Sequence, residues 1–146
     1  MPNKSLTIEQ ILTKLAETPP RIAVLTAGLV PAPLHTAPSR NGWSANDVLA
    51  HLRACADVWG DCIEVILAQD TPTIRAVNPR TWIRKTDYLE QEFQPSLHAF
   101  ATQRTDLLQG IGTVGTRRLV AYGDSYGGRK GARTDRAVLC AVACRS

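Results

Sequence analysis

The feature that most constrains the fold is a long apolar stripe that follows a helix-capping signature. Ser44 and Asp47 have the spacing of a capping box, in which each side chain satisfies the other residue's backbone N–H. Apolar residues then recur mostly every three or four positions, at Val48, Leu52, Cys55, Trp59, Cys62, Ile63 and Ile66. This period predicts one long amphipathic helix whose stripe faces the core, ended by the turn residues at 70–72.

A second capping box, formed by Thr7 and Gln10, predicts an earlier helix. Adjacent prolines at 19–20 interrupt its apolar face. Because proline is tolerated in the first turn of a helix but costs about 3 kcal/mol or more inside one, they predict either a kink or a new helix with Thr18 as its N-cap. Residues 30–42 hold three prolines and a glycine, and predict a loop before the stripe.

A third helix is predicted between Thr86 or Asp87, either of which would cap it, and the closing glycines Gly110 and Gly112. Pro95 lies inside this span and is expected to bend the helix. Its stripe consists of Leu89, Phe93, Leu97, Phe100, Arg104, Leu107, Leu108 and Ile111.

Three long helices joined by loops predict an all-α protein, an up-down four-helix bundle whose fourth helix is short, atypical or missing. The bundle core is expected within residues 1–110. Residues 111–146 form an atypical Gly/Arg-rich tail, in which a short last helix at 133–145 would have few apolar residues to pack.

The net charge of +4 comes entirely from that tail. Residues 1–110 carry ten basic and eleven acidic side chains, a balance of −1, whereas residues 111–146 carry seven and two, a balance of +5. Nucleic-acid binding is not favoured, because the tail has no recognisable motif and no aromatic platform beyond Tyr122 and Tyr126. GC-rich DNA read out of frame also yields Arg, Gly, Ala and Cys, so a frameshift after codon 110 is a hypothesis that the other reading frames would test.

The chain is expected to be cytoplasmic, with reduced thiols. A membrane-spanning helix needs about 20 apolar residues, and no apolar run in the sequence is that long. The polar start at 1–5 lacks the apolar core of a secretion signal. Cys55 and Cys62 lie about 10 Å apart along one predicted helix, too far for a disulfide. They are expected to pack as small core residues.

The start of the central helix also carries a motif. Trp43-Ser44, followed by Asp47-Val48-Leu49-Ala50-His51-Leu52, resembles the second-helix signature of the DinB/YfiT-like family, in which Trp-Ser/Thr precedes an acidic residue, apolar residues and His-Leu. A first helix that contains proline, a Pro-rich loop before the tryptophan and the run from Phe100 to Leu108 agree with it. The resemblance covers residues 5–110 of the chain.

The resemblance implies a four-helix bundle, often a homodimer, with a divalent metal such as Zn, Ni or Fe held by three histidines. One histidine comes from the second helix, and the others form a His-x-x-x-His pair on the last helix. Known activities of the family include metal-dependent S-transferases and isomerases that use low-molecular-weight thiols. A transferase or hydrolase acting on a small-molecule substrate is therefore the enzyme class that the resemblance implies.

His51 matches the first metal ligand of that pattern, but the other two have no counterpart. The sequence has no histidine after His98 and no His-x-x-x-His pair. The resemblance therefore implies a metal-binding protein whose site is incomplete in this chain. The alternative is a non-catalytic bundle that has lost the site and acts through dimerisation or small-ligand binding. Apart from the resemblance, His51 is better explained as a core-edge histidine with a hydrogen-bonded neighbour.

Two cysteines offer another route to a metal site. Cys140 and Cys144 are four residues apart, so on a helix they would share one face and, with His51, supply a Cys₂His set with an open position. Chance spacing in an Ala/Val/Cys-rich stretch is the simpler explanation.

The remaining candidates have simple structural explanations. His98 is expected at the boundary of the third helix, and His35 in a solvated loop. Arg104 would meet an anionic substrate inside the bundle or, more simply, pair with a surface carboxylate. The three tryptophans are expected to be packing anchors.

Overall fold

The computed structural model describes residues 6–69, 72–75 and 77–127, with side chains up to residue 121. This part of the chain is all-helical and holds no β-strand, as the sequence predicts. Its elements are α1 (Ile8–Thr26), α2 (Pro31–Leu34), α3 (Ala45–Ala68), α4 (Pro79–Trp82), a 3-10 turn (Ile83–Lys85) and α5 (Phe93–Gly127). None of these helices combines the length and the apolar character that crossing a membrane would require.

Both predicted capping boxes are confirmed. The Thr7 hydroxyl accepts a hydrogen bond from the Gln10 backbone N–H (3.2 Å), and the Gln10 side-chain carbonyl accepts one from the Thr7 N–H (3.0 Å). Ser44 and Asp47 make the same exchange at 3.1 and 2.8 Å. These bonds satisfy amides that have no partner in the first turn of a helix, and so they fix where α1 and α3 begin.

Helix α1 continues through Pro19 and Pro20 and does not restart. The Thr18 hydroxyl, which a restart would use as a cap, donates instead to the Lys14 carbonyl one turn back, at 2.7 Å. The predicted loop that follows contains one helical turn, α2, whose first residue is Pro31. Proline suits that position because its φ is already helical and its missing N–H has no helical partner to lose.

Helix α5 begins later than the sequence predicts. Residues 86–92 form a turn in which the Thr86 hydroxyl donates to the backbone at 2.8 Å, so neither predicted cap starts the helix. The first helical residue is Phe93. Pro95 is then the third residue, where a missing N–H removes no intrahelical hydrogen bond, so the expected bend in the helix interior has no cause.

Gly112 interrupts α5 as predicted, but helical structure does not stop there. Its φ of 52° and ψ of −164° lie where residues with a side chain are strained, and two helical segments meet at this kink. The second segment continues to Gly127, although its glycine-rich sequence has no sustained period. Residues 128–146, including the last helix expected at 133–145, lie outside the described residues.

Two buried clusters show in which directions the long helices run. One joins Leu49 near the start of α3 to Phe93 at the start of α5, and the other joins Ile63 near the end of α3 to Ile111. Helices α3 and α5 therefore run parallel. Helix α1 runs the opposite way, since its end packs on the first cluster and its start on the second. The described helices do not alternate up and down as predicted, because the chain returns along α3 through residues 77–92 before α5 begins.

The buried face of α3 differs from the predicted stripe in the first half of the helix. Val48 is 44% exposed, and Leu52 and Trp59 are only partly buried. Cys55 is the stripe residue buried there, as the sequence predicts. The other buried residues are Asn46, Leu49, Ala50, Arg53, Ala54 and Val58. The polar members of this face lie against residues 78–92, which we call the crossover segment. From Ile63 onwards the predicted stripe is buried.

Phe100 is fully buried in the first cluster. We expect Phe100→Ala to lower the free energy of unfolding by about 3–5 kcal/mol, because it removes buried contacts and leaves a cavity. Urea unfolding followed by circular dichroism measures this change. Val24→Ala is the control: Val24 is 76% exposed, and we expect a change within about 0.5 kcal/mol. Similar losses in the two variants would contradict this assignment of the core.

Candidate functional site

The sequence-predicted ligand His51 lies beside an open cleft of about 280 Å³. The start of α3 forms one side of this cleft, and the crossover segment forms the other. Its lining residues are Trp43, Asp47, His51, Arg80, Ile83 and Leu89. We call it the His51 cleft.

His51 lies between an aromatic ring and a thiol. The Trp43 indole is edge-on to the imidazole, with ring centroids 5.2 Å apart and planes at 71°. The Cys55 sulfur lies 3.6 Å from His51 Nε2, because residues four apart share one helix face. Trp43 stands next to the Ser44 cap, so the start of α3 brings the three side chains together. His51 is half-buried, and the cleft that it lines includes no residue of α5.

The cleft disfavours positive charge on His51. Burial lowers its pKa below the ordinary histidine value, and the nearby Arg80 guanidinium lowers the pKa further. The imidazole is therefore neutral near pH 7, with one ring nitrogen to donate a hydrogen bond and the other to accept one. Arg80 itself is exposed, and its guanidinium carbon lies 5.7 Å from the Trp43 ring centroid.

Among the described residues, no carboxylate forms an ion pair with Arg80. Asp47 lines the same cleft, but its Oδ2 accepts the Ser44 N–H in the capping box. A carboxylate in that place is stabilised by the positive end of the helix dipole. The charge of Arg80 is therefore open to a ligand.

Asp57 accepts three hydrogen bonds on the α3 face that meets the crossover segment. Its Oδ2 accepts from Trp82 Nε1–H at 3.0 Å and from the Tyr88 hydroxyl at 2.7 Å. Its Oδ1 accepts from the side-chain amide of Gln103 on α5 at 2.6 Å. One carboxylate thus joins α3, α5 and the segment that forms a wall of the cleft.

Arg53 and Asn46 extend this polar face toward the start of α3. The buried Arg53 guanidinium lies 3.8 Å from the Tyr88 ring centroid, and it donates to Gln91 Oε1 at 2.6 Å and to a buried hydroxyl of α5 at 3.1 Å. The Asn46 amide donates to two backbone carbonyls of the crossover segment, at 3.3 and 3.2 Å. These two residues and Asp57 form one polar stripe along α3.

Sequence reasoning missed this polar stripe. Asn46, Arg53 and Asp57 follow one another at steps of seven and four, which places them on one helix face, and that spacing is the signal in the sequence. Such residues are usually solvent-facing, and their partners here lie 25 to 46 positions away. Arg80 was missed as well, because nothing local marks an arginine in a loop as part of a cleft.

The described residues do not complete the metal site that the resemblance implies. His51 Nε2 and the Cys55 sulfur are two neighbouring atoms of the kinds that bind metal ions. Nowhere in the described part of the chain do three His, Cys, Asp or Glu side chains come close enough to hold a metal ion. Arg80 also opposes a bound cation. Cys140 and Cys144 lie outside the described residues, so their role as metal ligands stays a prediction.

The other candidates lie apart from the cleft. His98 is exposed on α5, and His35 is exposed at the end of α2, 3.6 Å from a Glu92 carboxylate oxygen. Arg104 is buried, with its guanidinium carbon 5.0 Å from the Phe100 ring centroid, so it belongs to the interior and not to the surface. Among the tryptophans, Trp82 is anchored by its bond to Asp57.

A second open cleft, of about 310 Å³, lies toward the end of α3. Cys62, Asp61 and Trp82 are among the residues that line it. Burial raises the pKa of the Cys62 thiol, and the Asp61 carboxylate raises the pKa further. The thiol is therefore protonated and a weak nucleophile at neutral pH, so thiol chemistry is not favoured here.

Burial raises the pKa of Tyr88 to about 12, and the hydrogen bond to Asp57 adds to this. The pKa of an unfolded tyrosine is about 10. The stability that Tyr88 contributes is therefore complete below that pH and is lost as the pH rises toward 12. We expect one tyrosine to ionise near pH 12 in an ultraviolet absorbance titration, and Tyr88→Phe to remove that step. A wild-type titration that lacks the high-pH step would contradict this burial.

Comparison of the chain with protein-family models, with curated proteins and with solved structures finds no match. The resemblance to the DinB/YfiT-like family therefore depends on the motif from Trp43 to Leu52 and on the features that agree with it. The family, the homodimer, the metal and the thiol stay predictions.

Proposed function

We propose that this chain is a non-catalytic helical domain that binds a small organic anion in the His51 cleft. The observation that carries the proposal is the Arg80 guanidinium, which is exposed at the cleft and has no carboxylate partner among the described residues. A guanidinium forms two parallel hydrogen bonds with a carboxylate or phosphate. The cleft therefore favours a ligand that carries such a group.

The rest of the ligand is expected to be apolar and small. Trp43 and Leu89 are 45% and 47% exposed in the cleft walls, so a ligand between them would remove apolar surface from water. The cleft volume of about 280 Å³ is slightly below the about 300–1,000 Å³ usual for ligand sites. A molecule with one ring matches this size.

His51 supplies a second polar contact. Its lowered pKa keeps the imidazole neutral, so it can donate one N–H to an anion without adding charge to the cleft. Arg80 is then the group that decides affinity for the charged end of the ligand. Aromatic carboxylates are the ligand class that combines these requirements.

We expect benzoate to bind the wild-type chain, and Arg80→Gln to weaken binding at least about tenfold, because hydrogen bonds to charged groups contribute about 1.5–3 kcal/mol. Isothermal titration calorimetry measures both affinities. Benzyl alcohol has the same ring without the charge, and we expect its affinity to be the same for both proteins. Arg84→Gln is the matched control, since Arg84 is exposed on the neighbouring 3-10 turn and does not line the cleft.

Two results would reject anion binding at Arg80. One is equal affinity of wild type and Arg80→Gln for benzoate, and the other is an equal loss in Arg80→Gln and Arg84→Gln. The second result would show that surface charge acts at long range and that the cleft has no role.

A second candidate function keeps the chemistry that the resemblance implies. On this proposal the chain is a DinB/YfiT-like bundle related to metal-dependent thiol S-transferases or hydrolases. The all-helical fold and the contact between His51 and Cys55 support it, since imidazole and thiolate are both good ligands for zinc. Any third protein ligand would have to come from outside the described residues.

If this second proposal is correct, purified chain carries a stoichiometric divalent metal, and His51→Ala loses it. Elemental analysis measures the content, with His98→Ala as the control because His98 is exposed on α5. Wild type without metal, or His51→Ala that retains it, would reject the metal site. Benzoate titration with a chelator present separates the two proposals, because binding at Arg80 does not need a metal.

A further inference from the structure

We infer that Asp57 is a positioning residue that holds the crossover segment over the His51 cleft and thereby places Arg80 for an anionic ligand. The second half of this inference rests on the proposed anion binding, whereas the holding of the segment does not. Asp57 does not line the cleft, so it acts through the side chains of Trp82 and Tyr88.

The crossover segment meets Asp57 at two points that bracket the cleft wall. Trp82 comes two residues after Arg80, and Tyr88 comes directly before Leu89, and both Arg80 and Leu89 line the cleft. The Trp82 indole N–H and the Tyr88 hydroxyl donate to the same carboxylate oxygen, at 3.0 and 2.7 Å. One oxygen therefore fixes the stretch of chain that forms the wall.

Asp57 is itself held from the side of α5. The Gln103 amide donates to its other oxygen at 2.6 Å, so both oxygens are engaged. Hydrogen bonds to an ionised acceptor are shorter and stronger than neutral ones. The carboxylate cannot rotate without breaking one of these contacts. It therefore holds Trp82 and Tyr88 of the crossover segment in place.

The other side-chain hydrogen bonds from α3 hold a different stretch of the segment. Asn46 donates to the carbonyls of Leu89 and Gln91, and Arg53 donates to the Gln91 side chain. Within the described part of the chain, the side-chain hydrogen bonds that fasten residues 79–88 to α3 are those to Asp57. Loss of Asp57 would therefore remove the hydrogen bonds of this stretch to α3 and leave the contact of the Arg53 guanidinium with the Tyr88 ring, while the end of the segment stays attached.

Two substitutions of Asp57 test whether its acceptor oxygens hold the segment. Asp57→Ala removes both acceptor oxygens. Asp57→Asn keeps one oxygen for Trp82 and Tyr88, and its NH₂ can face Gln103 if that amide turns to present its carbonyl. The asparagine variant should therefore rescue most of the positioning.

Hydrogen–deuterium exchange followed by mass spectrometry tests the holding of the segment. We expect Asp57→Ala to raise exchange in residues 79–89 at least about tenfold, because two charge-assisted bonds are lost locally. Exchange in 93–104 of α5 should not change, and Asp57→Asn should stay near wild type. Glu64→Ala is the matched control, since Glu64 is an exposed acid on the same helix. No rise in 79–89, or an equal rise in α5, would overturn the inference.

A double variant covers the case in which Asp57→Ala does not fold, as judged by circular dichroism. Trp82→Phe with Tyr88→Phe removes the two donors and leaves Asp57 and its bond to Gln103 in place. Faster exchange in 79–89 alone would support the inference, and unchanged exchange would overturn it.

Benzoate titration tests the second half of the inference. We expect Asp57→Ala to weaken binding toward the level of Arg80→Gln, and Asp57→Asn and Glu64→Ala to bind like wild type. A segment that loosens without any loss of benzoate affinity would overturn the positioning of Arg80. If wild type does not bind benzoate, the proposed function fails, and the exchange result alone decides whether Asp57 holds the segment.

Discussion

The hydrogen bonds to Asp57 are the contacts on which the arrangement of the cleft depends. Helices α3 and α5 run parallel, so the chain must return along the bundle between them. No residue of the crossover segment, 78–92, is fully buried, and its large apolar side chains Trp82, Ile83 and Tyr88 are only partly buried. Its position is set by polar contacts with α3, and the carboxylate of Asp57 receives two of them.

A polar stripe of this kind sets position more than it adds stability. Buried polar groups lose their hydration, and this costs free energy. Hydrogen bonds offset the cost only where each buried polar atom finds a partner. Among the described residues, Asn46 Oδ1 and Arg53 Nε are buried without a hydrogen-bond partner, although Asn46 Nδ2 and Arg53 Nη1 each donate two hydrogen bonds. The stripe is therefore incompletely satisfied, and a displaced crossover segment would leave still more of it unpaired. That penalty favours one position of the segment over others.

The sequence predicted the parts of the fold that local chemistry decides. Both capping boxes, the all-helical class and the break at Gly112 follow from residues close together in the chain, and the structure confirms them. The burial of Arg53 and the exposure of Val48 follow from which element covers α3, and periodicity carries no information about that. The parallel direction of α3 and α5 and the role of Asp57 depend on partners distant in sequence, so no local pattern predicts them.

The same limit applies to His51, whose motif and surroundings favour different ligands. The motif from Trp43 to Leu52 favours a metal, but it says nothing of Arg80, which reaches the cleft from the crossover segment. Burial first and Arg80 second lower the pKa of His51, which means that the site opposes a positive charge on the ring. Both effects also act against a cation bound at that ring unless anionic ligands compensate. Arg80 is therefore the described residue that supports the proposed anion, and the metal that the motif implies stays a prediction.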